Sequence, residues 1–336
     1  MKKLLLIPAL LLTSTALPAG DFLEQYPQSR EFIHEMSDKH NFSLKELEAL
    51  FAQVEHKQSI IDAISRPAES KPWHQYRPIF VTTSRIRQGV EFWQQNEQLL
   101  QRAEKEYGVP AHIIVAIIGV ETRFGRHSGS YRVMDALSTL AFDYPKRADF
   151  FRGQLEEFLL MSRKEKREPL EFLGSYAGAM GMPQFIPSSF RAYAVDFDND
   201  GRRDLWENTS DVIGSVANYF SRHKWRTGEP VASRASLNGE PPQAVIDKGY
   251  RPSLTLGELK GMGVQPVADY NDGHEVALLA LESAPGEYEY WVALHNFYVI
   301  TRYNHSPLYA MAVHQLSEAI RTSRASALRN IGDNPR

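Results

Sequence analysis

Residues 113–125 read IIVAIIGVETRFG: an unbroken apolar run from Ile113 to Val120, then a glutamate. A helix that is apolar on every side must be buried on every side. This stretch therefore marks the central helix of a helical core, and the rest of the chain has to wrap it. Working outward, Gly108 stops the segment before it and Pro110 opens it at a first-turn position, where the missing N–H costs nothing. The helix is expected to run to Gly125. Upstream, SRIRQGVEFWQQNEQLLQRAEKEYG (84–108) predicts one long helix, and NFSLKELEALFAQV (41–54) carries a capping box, Ser43 with Glu46. Downstream, DALSTLAFDY (135–144), RADFFRGQLEEFLLMSRK (147–164) and DVIGSVANYFSRHKW (211–225) keep the helical period.

Beyond Trp225 the texture changes. Residues 230–266 are rich in turn formers, and EVALLALESAPGEYEYWVALHNF (275–297) reads as two strands joined at Pro285-Gly286. SPLYAMAVHQLSEAIR (306–321) returns to helix. The expected class is mainly α, with a small β-containing insertion. The divisions are 20–107 as an N-terminal helical region and 108–226 as a core with a helical insertion around 135–170. The β insertion takes 227–290, the return to the core 291–325, and a tail 326–336.

At 336 residues, 43% hydrophobic and 24% charged, the chain has the composition of a folded globular protein. A net charge of -3 offers no basic stripe for nucleic acid. The first residues, MKKLLLIPALLLTSTALPAGDF, follow the charged, apolar, then small-residue order of a secretory signal, with cleavage expected after Ala19. The apolar part is too short and proline-broken to span a bilayer. There is no cysteine, which removes disulfides, cysteine nucleophiles and the lipidated cysteine of bacterial lipoproteins. A soluble protein of the periplasm, without a stable membrane anchor, is expected.

Three constellations carry chemistry. Burial at Glu121 raises a carboxyl pKa, and the negative end of the helix dipole pushes the same way. A carboxyl still protonated near neutral pH suits a general acid. A structural pair with Arg123, Arg126 or a distant basic group fits the same pattern, so the residues alone leave both roles open. The second is DFDNDGRRDLWE (196–207). Oxygen side chains stand at loop positions 1, 3, 5, 9 and 12 (Asp196, Asp198, Asp200, Asp204, Glu207), with Gly201 at position 6 and the Arg202 carbonyl at position 7. This is the twelve-residue EF-hand pattern for calcium, and a single loop favours a structural site over a switch. The third is the small-residue passage from Gly174 to Ser189, where Ser175 and Gln184 could face a ligand. There is no H-E-x-x-H, G-x-S-x-G or P-loop.

Taken together, GVETRFG, GSYAGAMGMPQFIPSSFRAYAVDFDNDG, DVIGSVANYF and NFYVITRYNHSPLYAMAV resemble the lytic murein transglycosylase B family, in the family's order and over nearly all of the mature chain. The resemblance implies a lysozyme-like helical core with an additional helical domain, a small β domain and an EF-hand-like loop. It implies cleavage of the β-1,4 bond between N-acetylmuramic acid and N-acetylglucosamine in peptidoglycan, without water, leaving a 1,6-anhydromuramoyl end. It further implies Glu121 as the single catalytic glutamate, Ser175, Gln184, Tyr219, Tyr303 and Tyr309 as glycan contacts, and glycan strands as the partner. No cofactor is implied for the chemistry itself. GMPQF stands where some members have G-Y-G-Q-F, so Met182 replaces a tyrosine.

Two rivals make other demands. A lysozyme-like hydrolase needs a second carboxylate, for which Asp135, Asp143 and Asp149 are candidates. A non-catalytic wall-binding protein needs no buried acid at all.

Overall fold

A computed structural model of the chain describes residues 22–65 and 71–332. The expected signal segment, 1–19, lies outside the described residues.

The chain begins with four short helices, α1 (Phe22–Gln25), α2 (Gln28–His40), α3 (Leu44–Phe51) and α4 (Gln58–Ile64). Ser43 caps α3 as its sequence expects, accepting the Glu46 N–H at 3.3 Å. Three further helices follow: α5 (Trp73–Phe80), α6 (Thr83–Gln95) and α7 (Glu97–Tyr107). The single helix expected over 84–107 is thus broken in two. Asn96 sits at φ −119°, and its side-chain amide donates to the Phe92 carbonyl at 2.9 Å, competing with the helical ladder.

Helix α8 (Ala111–Thr122) is the buried centre: every residue from Ile113 to Val120 is buried. It differs from expectation at both ends. Pro110 precedes the helix as its extended N-cap residue, and the helix stops at Thr122 because Arg123 (φ 56°) turns left-handed. Helices α6 and α7 pack against α8.

A two-residue strand, β1 (Tyr131–Arg132), leads into α9 (Val133–Asp143) and α10 (Ala148–Glu165), and pairs antiparallel with β2 (Leu173–Gly174). These two helices are the expected insertion, and they carry the N-terminal helices. Phe22, Phe32 and Phe51 meet Phe142 in one ring cluster. Buried Asp135 takes Arg132 at 2.7 Å and the Glu55 N–H at 3.0 Å, while His56 bonds Asp143 at 2.8 Å. Within the expected N-terminal region, 22–64 packs on the insertion, while α5 to α7 pack on α8, α12 and α16.

Helices α11 (Pro187–Tyr193) and α12 (Thr209–Arg222) close the core, with Asn208 capping α12 through bonds to the N–H groups of Ser210 and Asp211. The β unit follows: β3 (Ala232–Leu237), α13 (Gln243–Ile246), β4 (Leu254–Thr255), α14 (Leu256–Gly261), β5 (Val264–Pro266), β6 (Glu275–Ala284) and β7 (Glu287–Ala293). Its antiparallel sheet has the order β4-β6-β7-β3-β5, and the hairpin turns at Pro285-Gly286 as expected. Strand β7 extends three residues past the expected boundary at 290. The sheet has a small core of its own, including Leu256, Leu259, Val264 and Leu278. Helix α15 (His295–Ile300) then packs on the long α16 (Pro307–Gly332), which returns to α5, α6 and α8. Among the described residues no helix is long and apolar enough to cross a membrane.

Candidate active site

Glu121 sits in the last turn of α8, where the chain must leave the core abruptly. Arg123 and Phe124 are both left-handed (φ 56° and 62°), and the Phe124 N–H returns to the Ile118 carbonyl at 3.2 Å. The Phe124 ring folds back over Gly119, so closely that a Cβ added there would lie 2.7 Å from its Cζ. The neighbouring Thr122, fully buried, donates its hydroxyl to the Met182 carbonyl at 2.9 Å and accepts the Gly125 N–H at 3.0 Å. The turn bearing Glu121 is thereby tied to the Gly174–Phe185 loop.

Among the described residues the carboxyl takes its hydrogen bond from a tyrosine: Tyr309, near the start of α16, donates its hydroxyl to Glu121 Oε1 at 2.5 Å. Burial pushes the Glu121 pKa up to about 7, against the lowering pull of the Tyr309 bond. No other acidic group among the described residues acts on it. Tyr303 lies parallel to Tyr309, ring centroids 6.5 Å apart, and donates to the Pro183 carbonyl at 2.6 Å. Tyr219 packs 4.7 Å from Tyr303 and donates to the Arg302 carbonyl at 2.5 Å. Burial, then the charge of Glu121, drives the pKa of Tyr303 and of Tyr309 well up, so both hydroxyls stay protonated donors.

The small-residue passage forms a tight double turn. Gly174, Met180 and Phe185 bridge in succession, and Ser175 Oγ accepts the N–H groups of Ala177 (3.3 Å) and Ala179 (3.1 Å). Gln184 is left-handed (φ 51°), with its amide donating to the carbonyls of Gly181 (2.9 Å) and Ser128 (3.0 Å). Both expected glycan contacts thus have their polar groups engaged in shaping the loop. The Phe185 ring rests on Tyr219 and Tyr303, so loop and tyrosines form one wall.

In the acidic loop two of the expected ligands converge with an aspartate from beyond the twelve-residue pattern. Asp196, Asp198 and Asp211 bring carboxylate oxygens within 4.8 Å of one another. Asp211, buried in the first turn of α12, also accepts the N–H groups of Phe197 (2.7 Å) and Asp204 (2.8 Å). Burial, opposed by those bonds and reinforced by the charges of Asp198 and Asp196, raises its pKa to about 6. Asp200 and Asp204 turn back on their own loop, accepting the N–H groups of Arg202 and of Trp206 and Glu207. Glu207 is exposed and outside the cluster. A twelve-residue count stops four residues short of Asp211. The loop also reaches the catalytic wall: the Leu205 carbonyl accepts the Met182 N–H at 2.8 Å and lies where a side chain on Gly181 would stand.

The three aspartates weighed as a second catalytic acid are elsewhere. Asp135 and Asp143 hold the N-terminal helices, and Asp149 is exposed in the first turn of α10.

The Transglycosylase SLT domain family matches residues 24–318. The membrane-bound lytic murein transglycosylase B of Escherichia coli K12 is 44% identical over 315 residues, 91% of this chain and 85% of that protein. The chain belongs to the lytic murein transglycosylases. Soluble lytic transglycosylase SltB1 of Pseudomonas aeruginosa superposes with a TM-score of 0.85 at 56% identity, covering 89% of this chain and all of that one. Escherichia coli Slt35, solved in complex with calcium, gives 0.82 at 43% identity, covering 90% and 95%. These relatives carry the lysozyme-like fold expected from the sequence, and the transglycosylase acts as an enzyme on peptidoglycan. Two participants in its site carried no clear signal in sequence. Thr122 looks like any residue beside a glutamate, and Asp211 lies past the end of a loop pattern that already seemed complete.

Proposed function

We propose that Glu121 alone performs both proton transfers of the lytic transglycosylase reaction. Its raised pKa, with a tyrosine and no acid beside it, is the observation that carries this reading. Protonated Glu121 donates to the glycosidic oxygen as the bond from the muramoyl C1 breaks, releasing the N-acetylglucosamine hydroxyl. Tyr309 occupies Oε1, which leaves Oε2 for the substrate. The carboxylate then takes the proton of the muramoyl 6-hydroxyl while that oxygen bonds to C1, giving the 1,6-anhydro ring and restoring the acid. The nucleophile is tethered to the reacting sugar, so proximity replaces a bound water and its second carboxylate. Tyr219, Tyr303, Ser175 and Gln184 shape the wall against which the strand lies. Digestion of purified sacculi tests the reading: wild type should release anhydromuropeptides, and Glu121→Gln should release none while staying folded. Reducing muramic ends from wild type, or near-normal release by the variant, would overturn it.

The loop is read as a structural calcium site. Three carboxylates, one of them held above its ordinary pKa first by burial and then by its neighbours' charge, are a hard-oxygen donor set suited to that ion. Asp196, Asp198 and Asp211 would hold it, and the ion would neutralise the cluster beneath the Leu205–Met182 bond. Export through cleavage after Ala19 places the enzyme in the periplasm with its substrate; the charged, apolar and small-residue order of residues 1–19 supports this.

A further inference from the structure

Met182 stands where some family members carry a tyrosine, and the wall of tyrosines leaves it without a task. Its contacts supply one. Its N–H donates to the Leu205 carbonyl at 2.8 Å, and its own carbonyl accepts the Thr122 hydroxyl at 2.9 Å. Its side chain lies over Gly125, where an added Cβ would stand 3.1 Å from the sulfur. One half-buried residue thus grips the chain after Glu121 at two points, and is itself held by the acidic loop.

The exit from α8 needs such a grip. Arg123, Phe124 and Gly125 are left-handed in succession, at φ 56°, 62° and 82°. Residues with side chains keep that conformation only where their surroundings over-determine it. Thr122 supplies the fixed point. It is 1% exposed, and its hydroxyl both donates to Met182 and accepts the Gly125 N–H at 3.0 Å, so the turn closes around one oxygen. Without that oxygen the last turn of α8 loses its tie to the loop, and the carboxyl moves with its backbone. A displacement of about 1 Å in a reacting group can cost about 10²-fold in rate.

We propose that Met182 and Thr122 are positioning residues for the catalytic acid: through the line Leu205–Met182–Thr122 the acidic loop sets where the Glu121 carboxyl stands. The proposal rests on reading Glu121 as the proton donor, and gives Met182 a part in the reaction that involves no contact with glycan.

Thr122→Val keeps the shape of the side chain and removes its hydroxyl. On soluble glycan strands it should lower kcat roughly tenfold to hundredfold with KM little changed. It should also move the alkaline limb of the kcat profile to lower pH, because burial holds the Glu121 pKa up at about 7 and a loosened carboxyl gains water. Thr122→Ser restores the hydroxyl and should recover most of the rate and the position of the limb. Met182→Ala should likewise lower kcat, whereas loss of a glycan contact would raise KM alone. Gly181→Ala would set a Cβ 2.4 Å from the Leu205 carbonyl and push the Leu205–Met182 bond apart without touching Glu121. Combined with Thr122→Val it should cost no more than the worse single change, since both break one line. An unimpaired Thr122→Val, equal losses in Thr122→Val and Thr122→Ser, a rise in KM alone in Met182→Ala, or additive losses in the double variant would each overturn the proposal. Should Gly181→Ala fail to fold, the valine and serine variants of Thr122 still decide. Glu121→Gln keeps the two readings apart. If it still cuts, the assignment of the acid has failed; if it is inactive while Thr122→Val is unimpaired, only the positioning line has.

Discussion

A carboxyl with a pKa near 7 must be protonated to begin the reaction, so the rate should fall as pH rises through about 7. Tyr309 works against burial here: its hydroxyl bonds the carboxyl and stabilises the ionised form. Removing it in Tyr309→Phe should let the Glu121 pKa climb further, moving the alkaline limb of the kcat profile to higher pH. The same change should lower kcat, because the carboxylate loses its donor when it must serve as base. A pH–rate series on soluble muropeptide strands measures both. An unmoved limb would mean that the Tyr309 bond does not tune the acid. Such a role is hard to find in a sequence, since Tyr309 and Glu121 are 188 residues apart and only the packing of α16 on α8 brings them together.

Turns and helix ends carry the next level of organisation. The loop from Asp196 has the full EF-hand spacing, and α12 brings Asp211 to it from its buried first turn. If the proposed site holds calcium through that aspartate, Asp211→Asn should abolish the rise in melting temperature on calcium addition, whereas Glu207→Gln should leave most of it. A ligand that binds the folded state alone stabilises by about 2.7 kcal/mol at a hundredfold excess over its Kd, enough for calorimetry to resolve. The opposite ranking of the two variants would restore the twelve-residue loop. The break at Asn96 teaches the same lesson. A helical period was correctly read across 84–107, yet one side-chain amide bonding four residues back was enough to split the helix.

Across the molecule, the N-terminal helices are held by contacts that span eighty residues or more. Asp135 is the main one, buried beneath Arg132 and the Glu55 N–H. Asp135→Ala leaves Arg132 without that partner and Glu55 without an acceptor. Breaking a buried pair costs about 3–5 kcal/mol, so a clear fall in melting temperature is expected. Product masses below the new midpoint should nevertheless remain anhydromuropeptides, since the proposed mechanism gives Asp135 no part. Reducing ends from wild type, lost in an inactive but folded variant, would make it the second carboxylate of a hydrolase.

The apolar run at 113–120 was sufficient to place a buried central helix, with a glutamate at its end whose role the residues alone left open. Local signals of this kind survive any fold: a helix with no polar face has to be enclosed, and the Pro285-Gly286 turn between two β-rich runs has to form a hairpin. The motif order likewise identified the family. Tertiary structure alone decided which partner Glu121 has, because Tyr309 arrives from the far end of the chain. It also decided that residues 22–64 pack against α9 and α10, where Phe22, Phe32 and Phe51 meet Phe142. Asp211 belongs to the same class. Its carboxylate enters the cluster only because α12 packs its first turn beneath the loop, and periodicity in one dimension does not record that approach.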